Sequence, residues 1–169
     1  MKKIKALLFD VDGVLTDGTI TLDARGEELK TFNVRDGQLI QFIHDNLFVF
    51  GVISGRSSLA LKSRLNEMKI AFCRLGITDK MKALRDFIQL YNIDADDIGY
   101  IGDDLIDIEV MKSVDWSFAP SDACSHVLGV AKTITSSKGR NGVLREVTEM
   151  IIAENVELVK KFNNNFRVS

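Results

Sequence analysis

Proline occurs once in the 169 residues, at Pro120, while cysteine and histidine each occur twice and tryptophan once. Cys73 and Cys124 stand outside any Cys-x-x-Cys. A disulfide framework and a thiolate zinc site are therefore excluded, and two reduced thiols are expected. His44 and His126 have no companion set of metal-type ligands, and His44 reads as a residue on the surface of a helix. Long apolar runs are missing too. No stretch of about 18 apolar residues is present, so no membrane span is expected. The basic start Met1-Lys-Lys-Ile-Lys leads into a short apolar run that Asp10 interrupts, too early for a secretory leader. Charge of one sign is scarce as well: the formal net charge is -2, which calls for neither nucleic acid nor an acidic membrane surface. These absences point to the cytoplasm.

What remains has an ordinary globular composition, 46% apolar and 27% charged, in a length suited to one domain over residues 1–169. Ile4 to Gly18 is the focus: an apolar run that ends in Asp10 and Asp12, then Gly13. The run reads as a buried strand, and residues two apart on extended chain face the same side. Two pieces around Asp23–Glu27 then suggest a hairpin flap over about 18–34. Apolar spacing predicts a helix beginning at Asp36, a strand from Leu47 to Ile53 closed by Ser54, and a helix capped by Ser57 or Ser58. A strand over Ile70–Cys73 follows, then a loop bearing Lys80 and a helix to Tyr91. Ile98–Ile101 and Trp116–Ala119 read as further strands, with Asp122 as the cap of a short turn and Val130–Ile134 as an edge strand. One long helix is expected from Val143 to about Phe162, with a polar tail to residue 169. Alternating strands and helices imply an α/β fold, a Rossmann-like doubly wound parallel sheet.

In such a sheet the carboxyl ends of the strands share one edge, where ligands bind. Asp10 and Asp12, Ser54, Lys80, then Asp103, Asp104 and Asp107 would meet there. Carboxylates without His or Cys suit a hard cation, Mg²⁺ above all. A lysine and a serine beside it suit a phosphoryl group. Asp10 would be the nucleophile and Asp12 the general acid and base. Mg²⁺ would be held by Asp10, Asp103 and the backbone carbonyl of Asp12. Ser54 and Lys80 would hold phosphate oxygens, while Asp107, with Asp104 in the outer shell, orients metal waters or Lys80. A calcium-loop reading of Asp10-Val-Asp-Gly fails, because Val14 and Leu15 stand where further oxygen ligands are needed.

Asp10-Val-Asp-Gly-Val-Leu-Thr-Asp17, Ser54-Gly-Arg56, Lys80 and Gly102-Asp-Asp-Leu-Ile-Asp107 resemble the four motifs of the haloacid dehalogenase phosphohydrolase superfamily. The short intervals between them leave no room for a cap domain. The resemblance is to the capless subclass, which implies a homotetramer whose neighbours help close each site. Within it, Phe32-Asn-Val-Arg-Asp-Gly37, Arg64 and Gly142-Val-Leu-Arg-Glu146 are similar to the 3-deoxy-D-manno-octulosonate (KDO) 8-phosphate phosphatases of lipopolysaccharide synthesis. This implies a small sugar-acid phosphate as substrate, with Gly13, Thr16, Gly55, Arg56 and Arg64 contacting it. Relatives acting on nine-carbon sugar-acid 9-phosphates commonly carry an acid where Arg56 stands, and guanidinium suits a carboxylate partner. The alternatives are such a nine-carbon substrate, or a non-catalytic partner protein keeping the fold. Leu75-Gly76 and Gly139-Arg-Asn-Gly142 depart from the glutamine-glycine and Gly-Gly-x-Gly of that family.

Overall fold

The computed structural model describes residues 4–44 and 48–166. In chain order it contains β1 (Ala6–Phe9), β2 (Thr21–Leu22), β3 (Glu28–Leu29), α1 (Arg35–Gln38), α2 (Ile40–His44), β4 (Val49–Ser54), α3 (Leu59–Glu67), β5 (Phe72–Leu75) and α4 (Lys80–Tyr91). There follow β6 (Ile98–Ile101), α5 (Ile108–Lys112), β7 (Trp116–Ala119), α6 (Ser125–Leu128), β8 (Thr133–Ile134), α7 (Val143–Ala153) and α8 (Val156–Phe166).

Six strands form one sheet in the order β5-β4-β1-β6-β7-β8, every pair parallel. Strand β1 is buried throughout, and its alternate side chains serve opposite faces. Leu7 and Phe9 join the core built with α2, α3 and α7, while Ala6 and Leu8 join the one built with α4, α5 and α6. This is the doubly wound α/β arrangement expected from the alternation of elements. From β1 the chain first builds outward through β4 and β5, then returns to β6 on the other flank. The reversal opens a crevice at the carboxyl end of β1.

Several boundaries differ from the sequence expectation. The flap is a two-residue pairing of β2 with β3, far shorter than the hairpin expected over about 18–34. The expected helix from Asp36 begins at Arg35 and is interrupted at Leu39. The strand expected over Ile70–Cys73 lies at Phe72–Leu75, and the edge strand shrinks to Thr133–Ile134. Lys80 is not on a loop: Asp79 caps α4, its Oδ1 accepting from Lys82 N at 2.7 Å, and Lys80 is the first helical residue. Ser58 caps α3. Asp122 does not cap α6, whose cap is Cys124; its Oδ1 instead accepts from Gly139 N at 2.9 Å. The single long C-terminal helix is two, because the Asn155 side chain accepts from Glu157 N and Leu158 N and so starts α8 afresh. Residues 163–166, expected as tail, complete α8. Both cysteines are free. Leu47, residues 167–169 and the side chain of His44 lie outside what the structure describes.

Candidate active site

Asp10 follows β1 directly, its N–H donating to Ile101 O at 3.0 Å, so the sheet ladder fixes its backbone. Its side chain is 7% exposed. Oδ1 accepts from Val11 N at 2.7 Å, and Oδ2 lies 2.7 Å from Lys80 Nζ. Lys80 also donates to Asp107 Oδ1 at 2.7 Å. Asp107 is fully buried, and Tyr100 OH donates to the same oxygen at 2.6 Å. Its other oxygen accepts from Asp103 N and Asp104 N, at 3.1 and 3.3 Å. Asp107 therefore shapes the turn that presents Asp103. Gly102 is required beneath it, since a Cβ there would stand 2.5 Å from Asp107 Cβ.

One carboxylate oxygen from each of Asp10, Asp103 and Asp107 lies within 4.8 Å of the others. Three acids converge on a single ammonium, and the excess negative charge perturbs them. Burial raises the Asp10 pKa to about 6 against the pull of Lys80. Burial, reinforced by the charges of Asp10 and Asp107, raises Asp103 to about 8. Burial works against the Lys80 ammonium, but Asp10 and Asp107 outweigh it and hold its pKa above the ordinary value. Asp103 Oδ1 is buried with no hydrogen-bond partner among the described residues. An all-oxygen donor set with surplus charge and an orphaned buried oxygen fits a hard divalent cation.

Asp12 faces a different partner. Its Oδ1 accepts from Thr16 Oγ1 at 3.2 Å and is paired with Lys30 Nζ, a flap residue whose side chain is 2% exposed. Lys30 also lies 3.3 Å from Glu28, which takes Arg56 Nε at 3.2 Å. Arg56 in turn approaches Asp12 Oδ2 at 4.0 Å. The flap thus closes on Asp12 through a chain of opposite charges. Gly13 turns the backbone at φ +87°, packed so closely on Asp103 that a Cβ would overlap its carboxylate.

The structure brings Asp10, Lys80, Asp103 and Asp107 together, with Asp12, Gly13 and Thr16 on the adjoining loop. Ser54, buried, ends β4 next to β1, and its Oγ accepts from Arg56 N at 3.3 Å. Gly55 follows in an exposed turn. The carboxylate cluster joins Asp107 to Asp10 and Asp103, and the side chain of Asp12, a residue expected to serve through its backbone carbonyl instead, lies outside it. Asp104 is exposed and caps the turn at Leu105 N, which leaves it outside that cluster. Arg64 donates to Asn33 O at 3.1 Å and pairs with Glu67 at 2.9 Å. The contact with Asn33 anchors the base of the flap, and neither partner is one of the clustered acids. Lys30, Glu28 and Tyr100 escaped sequence reasoning. The alternation Glu28-x-Lys30 was the available signal, since both face one side of an extended segment.

Residues 72–147 match the family model of haloacid dehalogenase-like hydrolases. The KDO 8-phosphate phosphatase of Haemophilus influenzae is 37% identical over 90% of this chain and 84% of its own length. A crystal structure of the Yersinia pestis enzyme of that name superposes with a TM-score of 0.90 at 38% identity, covering 93% of this chain and 85% of that one. The Moraxella catarrhalis enzyme, solved in complex with magnesium ion, phosphate ion and KDO, gives a TM-score of 0.92 at 33% identity, over 98% and 94% of the two chains. The chain belongs to the haloacid dehalogenase-like hydrolases, in the branch of the KDO 8-phosphate phosphatases.

Proposed function

We propose that this chain is a Mg²⁺-dependent phosphatase that hydrolyses KDO 8-phosphate to KDO and phosphate through a phosphorylated Asp10. One observation carries the reading: Lys80 and the carboxylates of Asp10, Asp103 and Asp107 converge at the end of β1 in a chain 37% identical to a phosphatase named for that substrate. Lys80 and Val11 N each hold one oxygen of Asp10, so its carboxylate is aimed before substrate arrives. A carboxylate oxygen of Asp10 attacks phosphorus as the bond to the sugar oxygen breaks. Asp12 gives that oxygen its proton, then takes one from the water that releases phosphate from Asp10, a role worth roughly a hundred- to ten-thousand-fold. Thr16 and Lys30 orient the Asp12 carboxylate for both transfers. Lys80 and Ser54 stand ready for the phosphoryl oxygens. Asp10 and Asp103, with the backbone carbonyl of Asp12, would hold Mg²⁺, and Asp107 would orient Lys80 and the Asp103 turn. The bound cation offsets repulsion between carboxylate and dianionic phosphate.

The same reading places the chain in the cytoplasm, in lipopolysaccharide synthesis, as a homotetramer. Among the described residues no helix is long and apolar enough to cross a membrane. Ile20, Leu22, Leu29 and Val34 on and beside the flap are more than half exposed, a patch that a neighbouring copy would cover. The test is steady-state phosphate release with Mg²⁺ across eight- and nine-carbon sugar-acid phosphates. The expected outcome is preference for KDO 8-phosphate, with release abolished in Asp10→Asn. Preference for a nine-carbon compound overturns the substrate, and equal release from wild type and Asp10→Asn overturns the mechanism.

A further inference from the structure

Among the described residues three that are not glycine adopt left-handed backbone: Lys69, Asn92 and Arg140. Lys69 and Asn92 stand where α3 and α4 end, the usual setting for that conformation. Arg140, at φ +66°, ends no helix. It occupies a conformation that glycine adopts freely and a β-carbon disfavours, which makes its side chain the feature to explain.

The guanidinium lies 2.7 Å from Asp17 Oδ2, and the side chain as a whole is 43% exposed. Tying its loop to residues 13–17 does not require it. Arg140 N already donates to Val14 O at 3.0 Å. Gly139 packs against the same segment, where a Cβ would stand 2.3 Å from Gly13 O. The side chain instead borders a recess of about 80 Å³ that Thr16, Thr19, Thr21, Lys30 and Thr31 also line. Thr16 and Lys30 are the two residues that hold Asp12. The recess therefore shares two of its walls with the group assigned to protonate the leaving oxygen. Its lining is hydroxyl-rich and carries two cations, Lys30 and Arg140, beside the carboxylate of Asp17 and the apolar Leu29. Lys30 is engaged with Asp12 and Glu28, whereas Arg140 has one ion pair and five N–H donors.

We propose that Arg140 is a specificity-determining residue, donating to hydroxyl and carboxylate oxygens of the sugar-acid portion while other groups hold the phosphoryl end. This rests on the sugar-acid phosphatase reading above. Arg140→Gly relieves the backbone and removes the guanidinium. Asp17→Asn removes the ion pair alone, because the Asn oxygen still accepts from Thr19 N as Asp17 Oδ1 does at 3.0 Å.

The experiment compares wild type and both variants on KDO 8-phosphate and on p-nitrophenyl phosphate, whose leaving group carries neither hydroxyl nor carboxylate. For Arg140→Gly the kcat/KM ratio of the first substrate to the second should fall about ten- to a hundredfold through KM, as loss of a hydrogen bond from a charged donor implies. Asp17→Asn should hold or raise that ratio, since it leaves the guanidinium free for substrate. An unchanged ratio in Arg140→Gly overturns the inference alone, as does an equal fall in both variants, which would mark the ion pair as a structural tie. If wild type prefers a nine-carbon phosphate, the same ratio is read with that compound. A wild type that turns over no sugar-acid phosphate overturns the inference together with the reading beneath it.

Discussion

Asp36 lies beyond the active site, in α1, and is buried, the residue being 3% exposed. Oδ1 accepts from Arg145 N at 3.1 Å, while Oδ2 has no partner among the described residues. Burial raises its pKa from 3.8 to about 6; hydrogen bonds from the Arg145 and Leu144 backbone and the charge of Arg64 only partly oppose it. The folded state therefore binds this proton more tightly than the unfolded chain does. Where the folded protein holds more protons, stability falls as pH rises, so the loss runs from about pH 4 to pH 6 and is complete above. Roughly two pH units at 1.36 kcal/mol each make the ionised group about 3 kcal/mol unfavourable at neutral pH. Asp36→Asn keeps the acceptor for Arg145 N and cannot ionise. Urea unfolding of both proteins at a series of pH values between 4 and 8 is the assay. The variant should match wild type near pH 4 and gain stability progressively to about 3 kcal/mol by pH 7. Titration of Asp10 and Asp103 is common to both proteins and cancels in the difference. A difference independent of pH, or a variant less stable at pH 7 than wild type, would refute the reasoning.

Tyr100→Phe removes the 2.6 Å hydrogen bond to Asp107 and nothing else, so unfolding free energy should drop about 1.5–3 kcal/mol and kcat should fall with it; unchanged thermal stability and turnover would contradict that. Gly139→Ala drives a Cβ to within 2.3 Å of a backbone oxygen, which forces apart the loops carrying Gly13 and Arg140. A loss of about 1–3 kcal/mol together with reduced phosphate release is expected, against no change in either if the approach is slack. Asn155→Ala deletes the cap of α8 and should cost about 0.5–2 kcal/mol in chemical unfolding without altering kcat; a drop in kcat at unchanged stability would give Asn155 a different role.

The order of elements, the parallel sheet and the residues gathered at its carboxyl edge were legible in the chain. They depend on local period and on spacing, which sequence carries directly. Asp10, Asp103 and Asp107 could be named because they follow the ends of β1 and β6, and Lys80 because it follows the stretch after β5, although it opens α4 instead of standing on a loop. The two-part C-terminus could have been read from Asn155, but continuous apolar spacing on either side masked the cap. What the tertiary structure alone decided is which partner each acid meets. Asp12 turns to Lys30, a residue eighteen positions later, while Asp107 turns inward to Lys80 and Tyr100. Those pairings depend on how the flap folds back and how closely Gly13 and Gly102 let backbone approach carboxylate. Arg64 shows the same limit, a cation suited to a substrate acid that anchors the flap to a backbone carbonyl. Spacing along a strand places a charge on a face, but which partner it meets depends on chain brought from elsewhere. Local sequence determined which groups reach the edge of the sheet, and packing between distant segments determined which of them touch.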